Sequence, residues 1–448
     1  MSPRIDGKLP KTTPDAPVPS VDTTKAQLPV SATLEHTESA EDKSHRISVA
    51  VLLAIMGALL LFMATKASGT AVFALSNALD SVQLPKIEVP AVPCVIIGAL
   101  LCLGSAAGLF LKAPPKVRTA LNIAAGLGFV AGFLAWAAGG RTFDFLVTNQ
   151  FNGTLAYATP LIFGALGGLL GERAGVVNVA IEAQFLSGAF AAALVGTMTK
   201  SLLWGMVAGA VVGVAMGALL ALFSVKYLVD QVVMGVVLNS FATGLTGYLY
   251  SQFITTAREQ YNDTPLFQAV RVPVLADIPF IGPILFQQKP MAYMAFASVV
   301  LVWFLLFRTK WGLRVRAVGE HPEAAETVGI NVRAVRWQAV LLGGVFAGIG
   351  GTYFVLSVSG QFIKSISSGM GFIAIAAFIM GRWRPGLAAL MCVFFGFVTQ
   401  LSTQVQNLQT GLDSRFLVIL PYVATIVAVA GLVGRVRAPK ADGTNYDK

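Results

Sequence analysis

From Ile47 to Gly434 the chain is a succession of apolar runs, each close to the 18–22 residues that a helix needs to cross a bilayer, parted by short charged or prolyl breaks. Backbone groups in lipid must be satisfied within the chain, which leaves helices or closed barrels. Barrel strands read as short alternating segments, so runs of this length select helices. Composition agrees: 55% of the 448 residues are hydrophobic and 12% are charged, and mean hydropathy is +0.72. A soluble domain carries about 25% charged residues, and no soluble fold buries this much apolar surface. The expected fold class is all-α, a polytopic transmembrane bundle of about 10–12 spans. About twelve segments are countable; those at 153–170 and 368–382 are short and glycine-rich, and are candidates for broken or re-entrant segments.

The ends differ from the middle. Residues 1–46 are rich in Pro, Ser and Thr and poor in large apolar residues, the composition of a disordered tail. The first apolar run begins too late for a cleavable signal peptide. The chain therefore divides into a tail (1–46), about three amino-terminal spans (47–150), a core (151–434) and a second tail (435–448). Basic residues order the spans across the bilayer. Lys43 and Arg46, Lys112, Lys116 and Arg118, Arg308 to Arg336, Arg382 and Arg384, and Arg435, Arg437 and Lys440 fall on one side if there are twelve spans. The positive-inside rule makes that side the cytoplasm, with both tails in it and the proline-rich loop 252–290 outside. The same rule accounts for the net charge of +10 (32 basic, 22 acidic), and no basic groove with interleaved aromatics points to nucleic acid.

Gly205, Gly209, Gly213 and Gly217 recur every four residues and line one helix face, which lets a neighbouring backbone approach closely. Cys94, Cys102 and Cys392 lie inside apolar runs and read as small hydrophobes. His36, His45 and His321 have no metal-ligand spacing. There is no G-x4-G-K-[ST] string and no Ser/His/Asp set or H-E-x-x-H motif. The expectation is a non-enzyme that binds no cofactor or metal itself.

The loop 309–336 is the most informative stretch. Pro322 is placed to open a helix, Glu323 and Glu326 suit its first turns, and Gly329 is placed to close it. Inside the spans, Asn178 and Glu182 are four apart on one helix face, and Gln231 and Asn239 share a face of another. Polar residues at such depth are candidates for a substrate pathway, with polar contacts between helices, or a salt bridge from Glu182 to Arg173 or Lys226, as the alternative. Glu172 and Arg173 read as part of a turn.

Glu323-Ala324-Ala325 followed by Gly329 resembles the EAA-x3-G loop of permease subunits of bacterial ABC importers. The wider string GLRVRAVGEHPEAAETVGINV is similar to the nucleoside and simple-sugar branch of the ribose and branched-chain amino-acid permeases. TPLIFGALGGLLGERAGVVNVAIEAQFLSGAF (159–190), DQVVMGVVLN (230–239) and GMGFIAIAAFIMGRWRP (369–385) carry the same likeness, which covers about 153–434. Family members often have Glu-Gly where this chain has Glu182-Ala183. The resemblance implies a bacterial inner-membrane importer subunit whose loop, Gly319, Glu320, Pro322, Glu323, Ala324, Ala325 and Gly329, couples to a separate ABC ATPase that holds ATP and Mg. It further implies a second, non-identical permease, an extracytoplasmic substrate-binding lipoprotein, and a nucleoside such as guanosine as substrate. A simple sugar is the alternative; a secondary transporter would leave the loop unexplained. Phe163, Phe185, Phe241 and Phe372 are able to stack a nucleobase, though core or lipid contact explains such residues equally.

Overall fold

The computed structural model describes residues 40–77, 82–111, 113–411, 413, 415–417, 419–423 and 437–447. Residues 1–43 and 44–448 are separate compact units. Of the first, Ala40–Lys43 are described, in the opening turn of a helix.

The helices in chain order are α1 (Ala40–Ala64), α2 (Ala91–Phe110), α3 (Pro115–Ala138), α4 (Val147–Arg173), α5 (Ile181–Thr199), α6 (Leu202–Ala221), α7 (Gln231–Leu249), α8 (Arg258–Tyr261), α9 (Ile281–Leu285), α10 (Pro290–Arg308), α11 (Lys310–Glu320), α12 (Pro322–Thr327), α13 (Val332–Tyr353), α14 (Met370–Met380) and α15 (Pro385–Asn407). Short strands β1 (Thr70–Ala74), β2 (Ile87–Pro90) and β3 (Phe145–Leu146) form one sheet, and β4 (Val270–Arg271) pairs with β5 (Gln287–Gln288). Starts follow local chemistry. Pro115, Pro290, Pro322 and Pro385 occupy the first helical turn, where a missing N–H costs nothing. Asp230, Thr309 and Asn331 accept from the backbone N–H three residues on, 2.8–3.0 Å away, and cap α7, α11 and α13. Three helices run on through π-turns, at Leu222–Lys226, Tyr250–Ile254 and Phe354–Ser359.

Among the described residues, ten helices are long and apolar enough to cross a membrane. The centre is set by burial. In α4, α5 and α13, 72–78% of the apolar window is buried inside the protein, against 22–33% in α1, α6, α7 and α10. The first set is enclosed by protein; the second turns Leu, Val, Phe and Trp outward, to surroundings that must be apolar. α1–α3 pack with the end of α15 as a second apolar cluster beside the central one.

Two expected boundaries move. The segment 153–170 is neither short nor broken: α4 is a 27-residue helix with Pro160 inside it, enclosed by neighbours that stabilise it where its own ladder is interrupted. Of the tail expected over 1–46, residues 40–46 are helical. Arg46 is buried there and donates to the Leu109 carbonyl at the end of α2, 2.5 Å away. Most of the segment 415–434 lies outside the described residues, as does the tail 1–39.

The segment 368–382 is half a span. α14 has 11 residues, about 16 Å at 1.5 Å per residue, roughly half of the hydrocarbon thickness. Three residues past its end, the Trp383 indole N–H donates to Glu172 Oε2 (2.6 Å) at the end of α4. Before it, Gly360 and Phe362 are held by Thr264 and Asn262 of the loop after α7. The chain therefore enters from that loop's face in non-helical form and leaves as a helix toward the other. The second face carries the ends of α4 and α10 and all of α11 and α12; it collects Arg173, Lys226, Arg308, Arg314, Arg316, Arg333, Arg382 and Arg384, and is called here the basic face.

α6 meets α13 backbone to backbone. A Cβ on Gly213 would lie 2.3 Å from the Gly344 carbonyl, and one on Gly348 2.3 Å from the Gly209 carbonyl. Gly205 and Gly217 continue the seam, against Ala192 and Gly196 of α5 and against Val340 of α13.

Candidate functional site

The loop 309–336 folds as two helices. In α11, Val315 and Val318 are buried against the central core, and Gly319 crosses the end of α4 so closely that a Cβ would sit 2.2 Å from the Arg173 carbonyl. His321 (φ −146°, ψ 84°) breaks the helix and Pro322 starts α12. Ala325 alone of the EAA triplet is buried, in the central core. Gly329 ends α12 with φ +82°; its N–H donates to the Glu326 carbonyl (2.8 Å) and that of Ile330 to Ala325 (3.1 Å). Nothing lies within 4 Å of a Cβ there, so backbone conformation and not crowding selects glycine. Glu320, Glu323, Ala324, Thr327 and Gly329 are exposed, and Val328 is 74% exposed at the tip. The capped helix thus holds one face in the bundle and offers an acidic and apolar face outward.

The second group surrounds the link between α4 and α5. α4 ends at Arg173, Gly175 turns with φ +84°, and 176–180 run back non-helically into the bundle. Backbone groups exposed by such a link need partners, and three of the four polar residues singled out in the sequence supply them. Gln231 Oε1 accepts from Val177 N (2.6 Å). Asn239 Oδ1 accepts from Ala183 N (2.9 Å), and its Nδ2 donates to the Val179 carbonyl (3.0 Å). Asn178 Oδ1 accepts from Ala180 N (3.1 Å), and its Nδ2 donates to Gln184 Oε1 (3.3 Å). Glu182 reaches the half-span instead: its oxygens accept from Ser367 Oγ (2.6 Å), Gly369 N (2.9 Å) and Gly371 N (2.8 Å), at the start of α14. It does not face Arg173, whose Nε donates to the Trp383 carbonyl (2.9 Å). The carboxylate meets the positive end of α14 and is half-buried. Gln231 and Gln184 each keep a buried, unpartnered Nε2.

Phe163 and Phe185 are fully buried, Phe185 edge-on to Phe354 at 5.7 Å, while Phe241 and Phe372 are exposed. Sequence reasoning missed Arg336, 1% exposed, and placed Glu172 and Arg173 in a turn although they finish α4. A Trp between two arginines at 382–384 was the available signal for Glu172. No cluster of three or more His, Cys, Asp or Glu side chains suited to a metal occurs among the described residues.

Fold and site together define a polytopic helical membrane protein that presents a capped helix outside its bundle and ties the α4–α5 link and the half-span α14 together inside it. The family described as the permease component of branched-chain amino acid transport systems matches residues 150–433, and the chain belongs to that family. It is 39% identical over 319 residues to the nucleoside ABC transporter permease protein NupC of Lactococcus lactis subsp. cremoris, covering 69% of this chain and 98% of that one. It is 38% identical over 305 residues to the guanosine ABC transporter permease protein NupQ of Bacillus subtilis (66% and 95%), and 34% identical over 266 residues to a putative glucose ABC transporter permease, TsgC13, of Haloferax volcanii (58% and 79%). No solved structure matches the chain.

Proposed function

We propose that this chain is the membrane-spanning subunit of an ATP-driven importer of nucleosides, guanosine among them. The observation that carries this reading is the pair of nucleoside and guanosine permeases matched over nearly their whole length. The exposed face of α12 supports the coupling role. A separate ABC ATPase binds ATP and Mg and seats on Glu320, Glu323, Ala324 and the Val328 tip. Ala325 and Gly319 carry its displacement inward, because they are the points at which the loop meets the central core and the end of α4. Pro322 and Gly329 set the two ends of α12.

A second, non-identical permease completes the pathway, and a binding lipoprotein delivers the nucleoside from outside the inner membrane. The basic face is cytoplasmic by the positive-inside rule, so both tails are cytoplasmic. Asn178, Glu182, Gln231 and Asn239 border the pathway mainly by fixing the α4–α5 link and the half-span α14, whose loosening opens and closes it; the unpartnered Gln231 Nε2 is the group among them with capacity left for a solute. The Haloferax relative supports a simple sugar as the alternative cargo.

The test is uptake of radiolabelled guanosine and ribose in a strain lacking this gene, with and without vanadate, an inhibitor of ABC ATPases. Guanosine uptake restored by the gene and blocked by vanadate is expected. Vanadate-sensitive ribose uptake would keep the importer and change its cargo. Uptake that ignores vanadate and collapses with the proton gradient would replace the importer by a secondary transporter.

A further inference from the structure

The segment 437–447, within the tail expected over 435–448, is laid across the basic face. Ala441 N donates to the Gly319 carbonyl (2.9 Å) at the end of α11. Tyr446 Oη donates to Glu326 Oε2 (2.5 Å) on α12. Arg336 Nη1 of α13 donates to the Thr444 carbonyl (2.9 Å) and lies 6.0 Å from the Tyr446 ring. Asn445 Nδ2 donates to the Leu228 carbonyl (2.6 Å), between α6 and α7. The Asp442 carboxyl is hydrogen-bonded to Glu172 at the end of α4, and the Ala441 carbonyl packs on Gly175. The turn that makes this possible is Gly443, with φ +72°.

Two of these anchors straddle His321, the break between α11 and α12. With Ala441 fixed on one side and Tyr446 on the other, the angle between the two helices is set by six residues of a different part of the chain. The remaining anchors tie that angle to α4, α13 and the α6–α7 link. A helix of six residues has little rigidity of its own, so an outside brace decides how far a push on α12 reaches. The segment also lies outside the residues matched by the family, 150–433.

We propose that residues 440–446 are a strap that positions the coupling helix, with Ala441, Asp442 and Tyr446 as positioning residues that make displacement of α12 move the bundle as one piece. The inference rests on the proposed docking of an ATPase on α12.

The test uses the full transporter purified through this chain with its ATPase and reconstituted in vesicles, and reads guanosine transported per ATP hydrolysed. Two variants are compared with the intact chain: one ending after Pro439, and Tyr446→Phe, which keeps the ring on Arg336 and loses the bond to Glu326. A brace that sets coupling predicts at least a tenfold fall in the ratio for the shortened chain and about a threefold fall for Tyr446→Phe, with ATP hydrolysis changed less than twofold. A purely structural segment would lower the amount of complex and leave the ratio alone. An unchanged ratio in Tyr446→Phe overturns the strap even if the shortened chain fails to assemble. If no ATPase accompanies the intact chain and its guanosine uptake ignores vanadate, the importer reading falls and the strap with it.

Discussion

At the residue scale, Glu182 is the most telling side chain. It receives three donors from residues 185–189 positions away in sequence and caps the half-span α14. Glu182→Gln offers one acceptor oxygen in place of two and removes the charge at the α14 terminus. We expect a loss of about 1–3 kcal/mol, read as a lower thermal midpoint, with slower guanosine uptake at unchanged KM. A tenfold rise in KM at unchanged stability would instead put the carboxylate on the solute. Gly329→Pro removes the N–H that closes α12 and forces φ negative; uptake should vanish while membrane insertion stays normal, and normal uptake would remove the functional role of that turn. The two residues differ in legibility. Gly329 could be read from the sequence because its reason is local: a helix start six to seven residues earlier and a chain that must turn. Glu182 could not, because its donors lie at the far end of the chain and only packing brings them to it.

At the element scale, hydropathy located every described span but not how each is built. Apolar character is the same in a whole helix and in a half-helix fed by a non-helical approach, so α4 and α14 were equally suspect. Burial by neighbours distinguishes them afterwards. The strap was illegible for a different reason: its sequence is short, polar and glycine-bearing, as solvated tails are. Its docking has a pH dependence that can be worked out. Burial pushes the Asp442 carboxyl up to about 7, against the hydrogen bond from Glu172 and the charge of Arg336. Undocked, it titrates near its ordinary value of about 4. Docking therefore takes up a proton between these limits, holds best at the acid end, and weakens as pH rises toward 7. The groups facing Asp442 are Glu172 and Arg336; Tyr446 lies against Arg336, and the neighbouring Lys440 meets His321 (3.5 Å). Trypsin cleavage at Lys440, corrected for the enzyme's own pH profile, should be faster at pH 8 than at pH 6, and Asp442→Asn should flatten the difference. Equal rates in the unmodified protein would show that this carboxyl does not govern docking.

At the scale of the whole molecule, the two faces can be told apart by contacts at their rims. Arg141 donates to the carbonyls of Gln409 and Thr410 on one face, and Ala441 binds Gly319 on the other. A single cysteine placed at Gln409 should react with an impermeant maleimide in intact cells, and one at Arg437 only after permeabilisation; the reverse pattern would invert the assignment of the basic face to the cytoplasm.

The glycine seam between α6 and α13 has one more consequence. A ladder that repeats every four residues looks the same after a slide of one period, about 6 Å along the helix axis. Such a surface is smooth but degenerate: it specifies how near two helices come and not where along each other they stop. Thr352, whose methyl lies against Gly209, and the two-residue link between Thr199 and Leu202 act as the end-stops that remove this ambiguity. The register of this backbone-to-backbone pair is thus decided at its ends.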